Sequence, residues 1–247
     1  MSRRERLDLL LVQRGLFESR EQARRAVMAG WIETRGRRLE KPSDRLELDA
    51  PLEVRERARF VGRGGLKLEG ALAAFGIDPA GWVCLDAGAS TGGFTDCLLQ
   101  RGAAKVYAFD VGHGQLDWKL RNDPRVVVRE KFNVRHLRPE DIGEPIDLVV
   151  ADLSFISLTL VLPALCATLS ATGMALVLIK PQFELGPEQV GKGGIVSDPA
   201  LHEAAIEKIR AFCGSALAAL GVRWEGVTPS PITGADGNRE FLAWLRK

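Results

Sequence analysis

Leu85-Asp86-Ala87-Gly88-Ala89-Ser90-Thr91-Gly92-Gly93-Phe94 is the stretch whose reading decides the fold. The apolar run Trp82–Asp86 ahead of it reads as a strand, and Phe94–Gln100 behind it has helical spacing. Glycines in such a turn let the backbone approach a ligand closely. A dinucleotide fingerprint wants glycine at positions 1, 3 and 6, but counting from Gly88 the third position is Ser90. No lysine of a phosphate-cradling loop follows either, so both of those classes are disfavoured. Working outward, further strand candidates are Lys105–Asp110, Arg125–Val128, Ile146–Ala151, Met174–Ile179, Val222–Val227 and Glu240–Leu245. Between them, Leu158–Leu169 and Pro199–Leu220 have helical spacing. Strands alternating with helices predict an α/β fold with a parallel, doubly wound sheet.

Composition narrows the class. The 247 residues are 46% hydrophobic and 27% charged, enough for a packed core and unlike a disordered chain. Leu158 to Leu169, the longest largely apolar run, is twelve residues broken by Pro163, too short to cross a bilayer. Met1 to Val12 shows no export signal, so a cytoplasmic location without a membrane partner is expected. Cys84, Cys97, Cys166 and Cys213 are widely spaced, without a CxxC pair, and read as reduced, buried small hydrophobes. With only three histidines, no protein-built metal site is expected.

Net charge is +2, but residues 1–60 hold 15 of the 34 basic and 11 of the 32 acidic residues, a net of +4 against −2 for the rest. All but Lys41 of those 15 are arginine. An Arg-rich front on a near-neutral body points to a polyanion partner. Leu7, Leu9, Leu10 and Leu11 open a short helix ending at Gly15, and Ser19 with Gln22 spells a capping box for a second helix running to Gly30. Trp31–Thr34 then reads as a strand, Arg35-Gly36-Arg37 as a turn, and Arg45–Leu48 and Leu52–Arg55 as further strands. Arg57–Gly62 reads as a linker, placing the domains at 1–60 and 61–247.

Arg6-Leu7-Asp8, Ser19-Arg20 with Ala23, the step from Gly30 to Ile32 and the basic turn resemble the αL (S-four-type) RNA-binding motif. That resemblance implies a small α+β RNA-binding domain at the N-terminus. Arg6, Arg20, Arg24, Arg25, Arg35, Arg37 and Arg38 are its candidate RNA contacts, since guanidinium groups pair bidentately with phosphates. The glycine stretch in turn resembles the first motif of class I S-adenosylmethionine (SAM) methyltransferases, D-x-G-x-x-x-G-G-[FW]. This implies a seven-stranded Rossmann-like sheet holding SAM through Asp86, Gly88, Ser90, Gly92, Gly93 and Phe94. Asp110, 24 residues after Asp86, ends the second strand where a carboxylate accepts ribose hydroxyls, and Asn133 follows the third strand towards the adenine edge.

Asp152 follows the strand Ile146–Ala151, Lys180 follows Met174–Ile179, and Glu240 opens the last strand, which in this fold runs antiparallel. All three therefore belong at one sheet edge. Lys67 sits in Gly64-Gly65-Leu66-Lys67-Leu68-Glu69, on a helix before the first strand. The order Lys-Asp-Lys-Glu, in the contexts Ala151-Asp152-Leu153-Ser154 and Lys180-Pro181-Gln182-Phe183-Glu184, resembles the tetrad of FtsJ/RrmJ-type ribose 2′-O-methyltransferases. With its tail Gly237-Asn238-Arg239-Glu240-Phe241, the whole chain is similar to the TlyA family, which joins an αL module to such a domain. Members carry a hemolysin label and resemble rRNA cytidine 2′-O-methyltransferases. The resemblance implies SAM as cofactor, ribosomal RNA or ribosomal subunits as partner, and Lys67, Asp152, Lys180 and Glu240 as catalytic residues, with Asp152 also beside the cofactor.

Methyl transfer from a sulfonium is an in-line displacement, so positioning supplies much of the acceleration. Lys180 is the candidate base for the hydroxyl. A neutral amine is favoured by crowding against Lys67 and by burial, and opposed by neighbouring carboxylates, so sequence leaves the balance open. The long connection from Pro181 to Pro199, with Gly191-Lys192-Gly193-Gly194, reads as a lid or RNA-contacting segment. The tryptophans Trp31, Trp82, Trp118, Trp224 and Trp244 read mostly as core. Two other classes stand against the enzyme reading. A non-catalytic RNA-binding or ribosome-assembly factor is opposed by the intact tetrad. A membrane-lysing toxin is opposed by the lack of a spanning or sustained amphipathic segment.

Overall fold

The structure is a computed structural model that describes residues 4–28, 31–54, 59–234 and 237–247, with the side chain of Arg25 left out. It divides into two compact units, residues 1–59 and 60–247, each with its own core.

In the first unit, β1 (Arg4–Arg6) leads into α1 (Leu7–Gln13), and α2 (Arg20–Met28) follows. Leu7 and Leu11 of α1 pack with Ala23, Ala26 and Val27 of α2, closed by Ile32 and Leu39. Small side chains on α2 let the helices approach without a void. Gly15 takes φ +69° beyond the end of α1, a left-handed conformation that glycine adopts without steric cost. Ser19 Oγ accepts the backbone N–H of Gln22 at 3.2 Å, the first half of the anticipated capping box. The expected helix end at Gly30 lies outside the described residues. β2 (Ile32–Thr34) is the centre of a three-stranded antiparallel sheet between β3 (Arg37–Leu39) and β5 (Glu53–Val54). β4 (Arg45–Glu47) pairs instead with β1, a three-residue strand that the sequence pattern does not reveal.

The linker reading needs correction at its second half. Phe60 is only 5% exposed and belongs to a core of the second unit, and Val61 donates its N–H to Asp96 Oδ2 at 2.9 Å. Arg57 and Ala58 lie outside the described residues.

The second unit runs α3 (Gly64–Phe75), β6 (Val83–Ala87), α4 (Gly93–Gln100), β7 (Lys105–Phe109), α5 (Trp118–Arg121) and β8 (Val126–Arg129). It continues with β9 (Ile146–Ala151), α6 (Leu162–Ala167), β10 (Leu169–Ile179), α7 (Pro181–Glu184), α8 (Pro199–Ser215), β11 (Arg223–Pro229) and β12 (Phe241–Arg246). The strands form one sheet in the order β11-β12-β10-β9-β6-β7-β8. β6 to β10 are parallel, and β12 runs antiparallel to both its neighbours. Both faces are covered, which is why the central strands are mostly apolar, with Asp86 in β6 and Asp147 in β9 as charged exceptions. Leu85, Val149 and Val177 face the side packed by α6 and α8, while Cys84, Leu148, Val150 and Leu176 face that of α3 and α4. From β6 the chain winds outward through β7 and β8, then returns to β9 on β6's other side. The crevice beyond the carboxyl ends of β6 and β9 is therefore a topological switch point, where open α/β sheets bind ligands.

Three expectations differ from the structure. Leu158–Leu169 is not one helix: Pro163 belongs in a first turn because it lacks an N–H, so a 3₁₀ turn (Leu158–Leu160) precedes the short α6. β10 begins at Leu169 rather than Met174, with a register irregularity between them. Trp118 is 76% exposed and is not core, whereas the other four tryptophans are partly buried.

Candidate active site

The glycine loop is stitched to its neighbours by backbone bonds. Gly88 and Ala89 donate their N–H groups to Phe109 O at 2.8 and 3.1 Å, and Ser90 donates its N–H to Asp110 Oδ2 at 2.8 Å. Gly88 has φ +86°, and a Cβ there would stand 2.6 Å from the Asp152 carbonyl oxygen. Both conformation and space require glycine. Ser90 carries a left-handed backbone (φ +49°) without being glycine, a strained geometry of the kind that clusters at ligand clamps.

Two cavities open at this edge. One, about 490 Å³, is lined by Gly88, Ser90, Asp110, Gln115, Phe132 and Asn133 among others. The other, about 260 Å³, is lined by Lys67, Thr91, Phe94, Asp152, Lys180 and Glu240 among others. Gly88, Ser90, Asp152 and Ser154 belong to both walls. Asp110 already receives N–H groups from Ser90 and Gly112, yet a carboxylate has lone pairs for further donors. Asn133 spends its amide oxygen on Arg135 N, leaving the NH₂ for a ligand. Asp86 lines neither cavity. It is fully buried, accepts Thr95 N and Oγ1 at 2.9 and 2.6 Å, and holds the start of α4 against β6. Burial pushes its carboxyl up to about 7, opposed by the Thr95 bonds.

The four charged residues form a chain. Lys180 Nζ stands 2.7 Å from Asp152 Oδ1, Asp152 Oδ2 stands 3.3 Å from Lys67 Nζ, and Lys67 Nζ stands 2.6 Å from Glu240 Oε2. Asp152 thus separates the lysines that sequence reasoning set against each other, and Glu240 holds Lys67 rather than Lys180. The charges balance, two against two. All are largely withdrawn from water, with side-chain exposures of 9% for Lys180, 10% for Lys67, 3% for Glu240 and 21% for Asp152.

Three features escaped sequence reasoning. Ser154 Oγ accepts a bond from Lys180 Nζ at 2.9 Å. Phe155, 90% exposed with φ +62°, stands on the rim of the larger cavity with its ring 5.1 Å from that of Phe183. Glu184 is buried and accepts Leu158 N at 2.8 Å and Ser157 Oγ at 2.6 Å, with Lys208 Nζ at 3.1 Å. It braces the turn after Lys180 against the loop after Asp152. Ser154 and Glu184 lie in the stretches that carry the tetrad resemblance but were given no role there, and the only sequence signal for Phe155 was adjacency to the end of β9. The connection after Glu184 is a series of short turns rather than shapeless chain. Asn238, two residues before Glu240, clasps it by donating to Gly194 O and accepting from Val196 N, both at 2.9 Å.

In the first unit, Asp8 is fully buried and held at about 2 by the guanidinium of Arg6, with Arg20 adding to it. Arg6 commits Nε and one Nη to that carboxylate, whereas Arg20 commits only Nε. Arg20 and Arg24 line an open hollow on α2 with Met28. Arg35, Arg37 and Arg38 are exposed at the β2–β3 hairpin, where Arg38 lies opposite Glu33. Nothing further is described of Arg25.

Sheet order, switch-point crevice and glycine loop together define the class I methyltransferase fold. The chain belongs to the FtsJ-like methyltransferase family, whose profile matches residues 60–247. A relative from Mycobacterium tuberculosis, the 16S/23S rRNA (cytidine-2'-O)-methyltransferase TlyA, is 52% identical, covering 100% of this chain and 91% of that protein. A solved structure from Streptococcus thermophilus, described as a candidate hemolysin, is 46% identical with a TM-score of 0.74, covering 100% of this chain and 90% of that one. A short match, 38% identical over 74 residues, links the chain to small ribosomal subunit protein uS4 of Streptomyces avermitilis, covering 30% of this chain and 36% of that protein. Among the described residues, no helix is long and apolar enough to cross a membrane, and no group of three metal-ligating side chains occurs.

Proposed function

We propose that this protein transfers a methyl group from S-adenosylmethionine to a ribose 2′-hydroxyl of ribosomal RNA, at a cytidine. The observation that carries this reading is the Lys180-Asp152-Lys67-Glu240 chain in the wall of the cavity beside the glycine loop. The tuberculosis relative's specificity supports rRNA and cytidine.

The residues fit the cofactor. Gly88 borders both cavities, and its lack of a side chain lets the glycine loop lie directly against the Asp152 backbone. Asp110 has acceptor capacity for a ribose diol, Phe132 and Val134 offer apolar surface to a base, and Asn133 offers an amide. The amino-terminal end of α4, at Gly92 and Gly93, favours a carboxylate. When bound, the cofactor supplies a methyl group activated by sulfonium.

Lys180 Nζ takes the proton of the acceptor hydroxyl, making its oxygen nucleophilic as it attacks in line. Asp152 fixes Lys180 and, through its other oxygen, Lys67. Glu240 neutralises Lys67, so neither lysine is left as an unpaired buried charge. The exposed ring of Phe155 offers a stacking face for a base of the acceptor strand. In the first unit, the α2 arginines and the hairpin arginines make phosphate contacts that recruit structured RNA, a role the uS4 match supports. Lys180→Ala should lower methyl transfer by roughly 10²–10⁴-fold while calorimetric binding of S-adenosylmethionine stays within about threefold of wild type. Retained turnover would remove Lys180 from the role of base.

A further inference from the structure

An ε-amine has three directions beyond its own carbon. Among the described residues, Lys180 Nζ has two polar partners: Asp152 Oδ1 at 2.7 Å and Ser154 Oγ at 2.9 Å. The ring of Phe183 stands 5.8 Å away and offers no competing acceptor atom. Lys180, Asp152 and Ser154 share the wall of the 260 Å³ cavity, and Ser154 with Asp152 also borders the 490 Å³ cavity. Ser154 therefore stands where the proposed cofactor and acceptor spaces meet.

We propose that Ser154 is a positioning residue for methyl transfer. In the neutral amine, Asp152 and Ser154 accept the two N–H groups. The lone pair is left in the third direction for the acceptor hydroxyl. This rests on the reading of Lys180 as base. In the step, the hydroxyl O–H bond breaks and its proton goes to the Nζ lone pair, giving an ammonium. The oxygen electron pair forms the new bond to the methyl carbon, and the carbon–sulfur pair returns to sulfur. A hydroxyl suits the second acceptor position. An apolar group there would leave one N–H of a largely buried amine unpaired and free to turn. A second carboxylate would add a charge that the neutral amine does not need.

The test compares Ser154→Ala and Ser154→Thr in the full chain. With ribosomal subunits and saturating cofactor, Ser154→Ala should lower kcat about tenfold, about 1.4 kcal/mol, with the KM for RNA and the cofactor Kd within about twofold. Ser154→Thr, which keeps the hydroxyl, should recover at least half of the rate. A readout independent of turnover is exchange of the Lys180 Nζ protons in unliganded protein labelled with ¹³C,¹⁵N-lysine, the signal being assigned with Lys180→Arg. Exchange should quicken about fivefold in Ser154→Ala and return towards wild type in Ser154→Thr. Wild-type kcat in Ser154→Ala overturns the proposal, whatever the exchange rate. So does a threonine variant as slow as the alanine one. Full turnover by Lys180→Ala is a different failure, that of the underlying reading.

Discussion

Asp86 belongs to the glycine stretch by sequence but to the core by position. Its carboxylate holds Thr95 and never reaches a cavity wall, and its withdrawal from water raises its pKa to about 7. A carboxyl near 3.8 when unfolded and near 7 when folded binds its proton more tightly in the native state. Its stabilising contribution is complete below about pH 4 and is lost as pH rises through 7, an effect of up to about 4 kcal/mol. Asp86→Asn keeps an acceptor for Thr95 and removes the titration. Scanning calorimetry from pH 5 to 8 should therefore show a smaller fall in Tm for the variant than for wild type. An identical fall in both would contradict the assignment. Arg6 shows the same gap between residue type and role. Its sequence context suggests a phosphate donor, whereas two of its donors already serve Asp8.

At the scale of elements, legibility followed periodicity and failed where tertiary contacts decide. The strand-turn-helix around Gly88 was readable because a left-handed turn between an apolar run and an amphipathic one leaves few alternatives. The strands β9, β10 and β12 were readable because their stretches 148–151, 174–179 and 241–245 are apolar and largely buried, so the charged residues next to them stand out. Which of those charges touch was not readable, because contact depends on the path of α3 and on the antiparallel entry of β12. Hence Glu240 meets Lys67, and Asp152 lies between the lysines. Ser154 and Phe155 escaped for a related reason, since a loop's residue types do not state its φ values. β1 was missed because three charged residues, Arg4 to Arg6, have no strand-like alternation and gain their pairing only from β4. α6 was overextended because apolar spacing outweighed Pro163.

The whole molecule joins an Arg-rich unit to a near-neutral catalytic one, each with its own core. Replacing exposed Arg24, Arg35 and Arg37 by glutamine should weaken RNA binding and flatten its dependence on log salt by about 0.7–0.9 per lost phosphate contact. An unchanged slope in filter-binding titrations would separate the first unit from RNA recruitment. The central claim concerns the atom that receives the methyl group. The direct measurement incubates the protein with methyl-labelled S-adenosylmethionine and separated small and large ribosomal subunits, then hydrolyses the RNA in alkali. Cleavage needs a free 2′-hydroxyl, so the account predicts label in alkali-resistant dinucleotides carrying cytidine at the 5′ position. Label released in mononucleotides would mean methylation of a base and would contradict it.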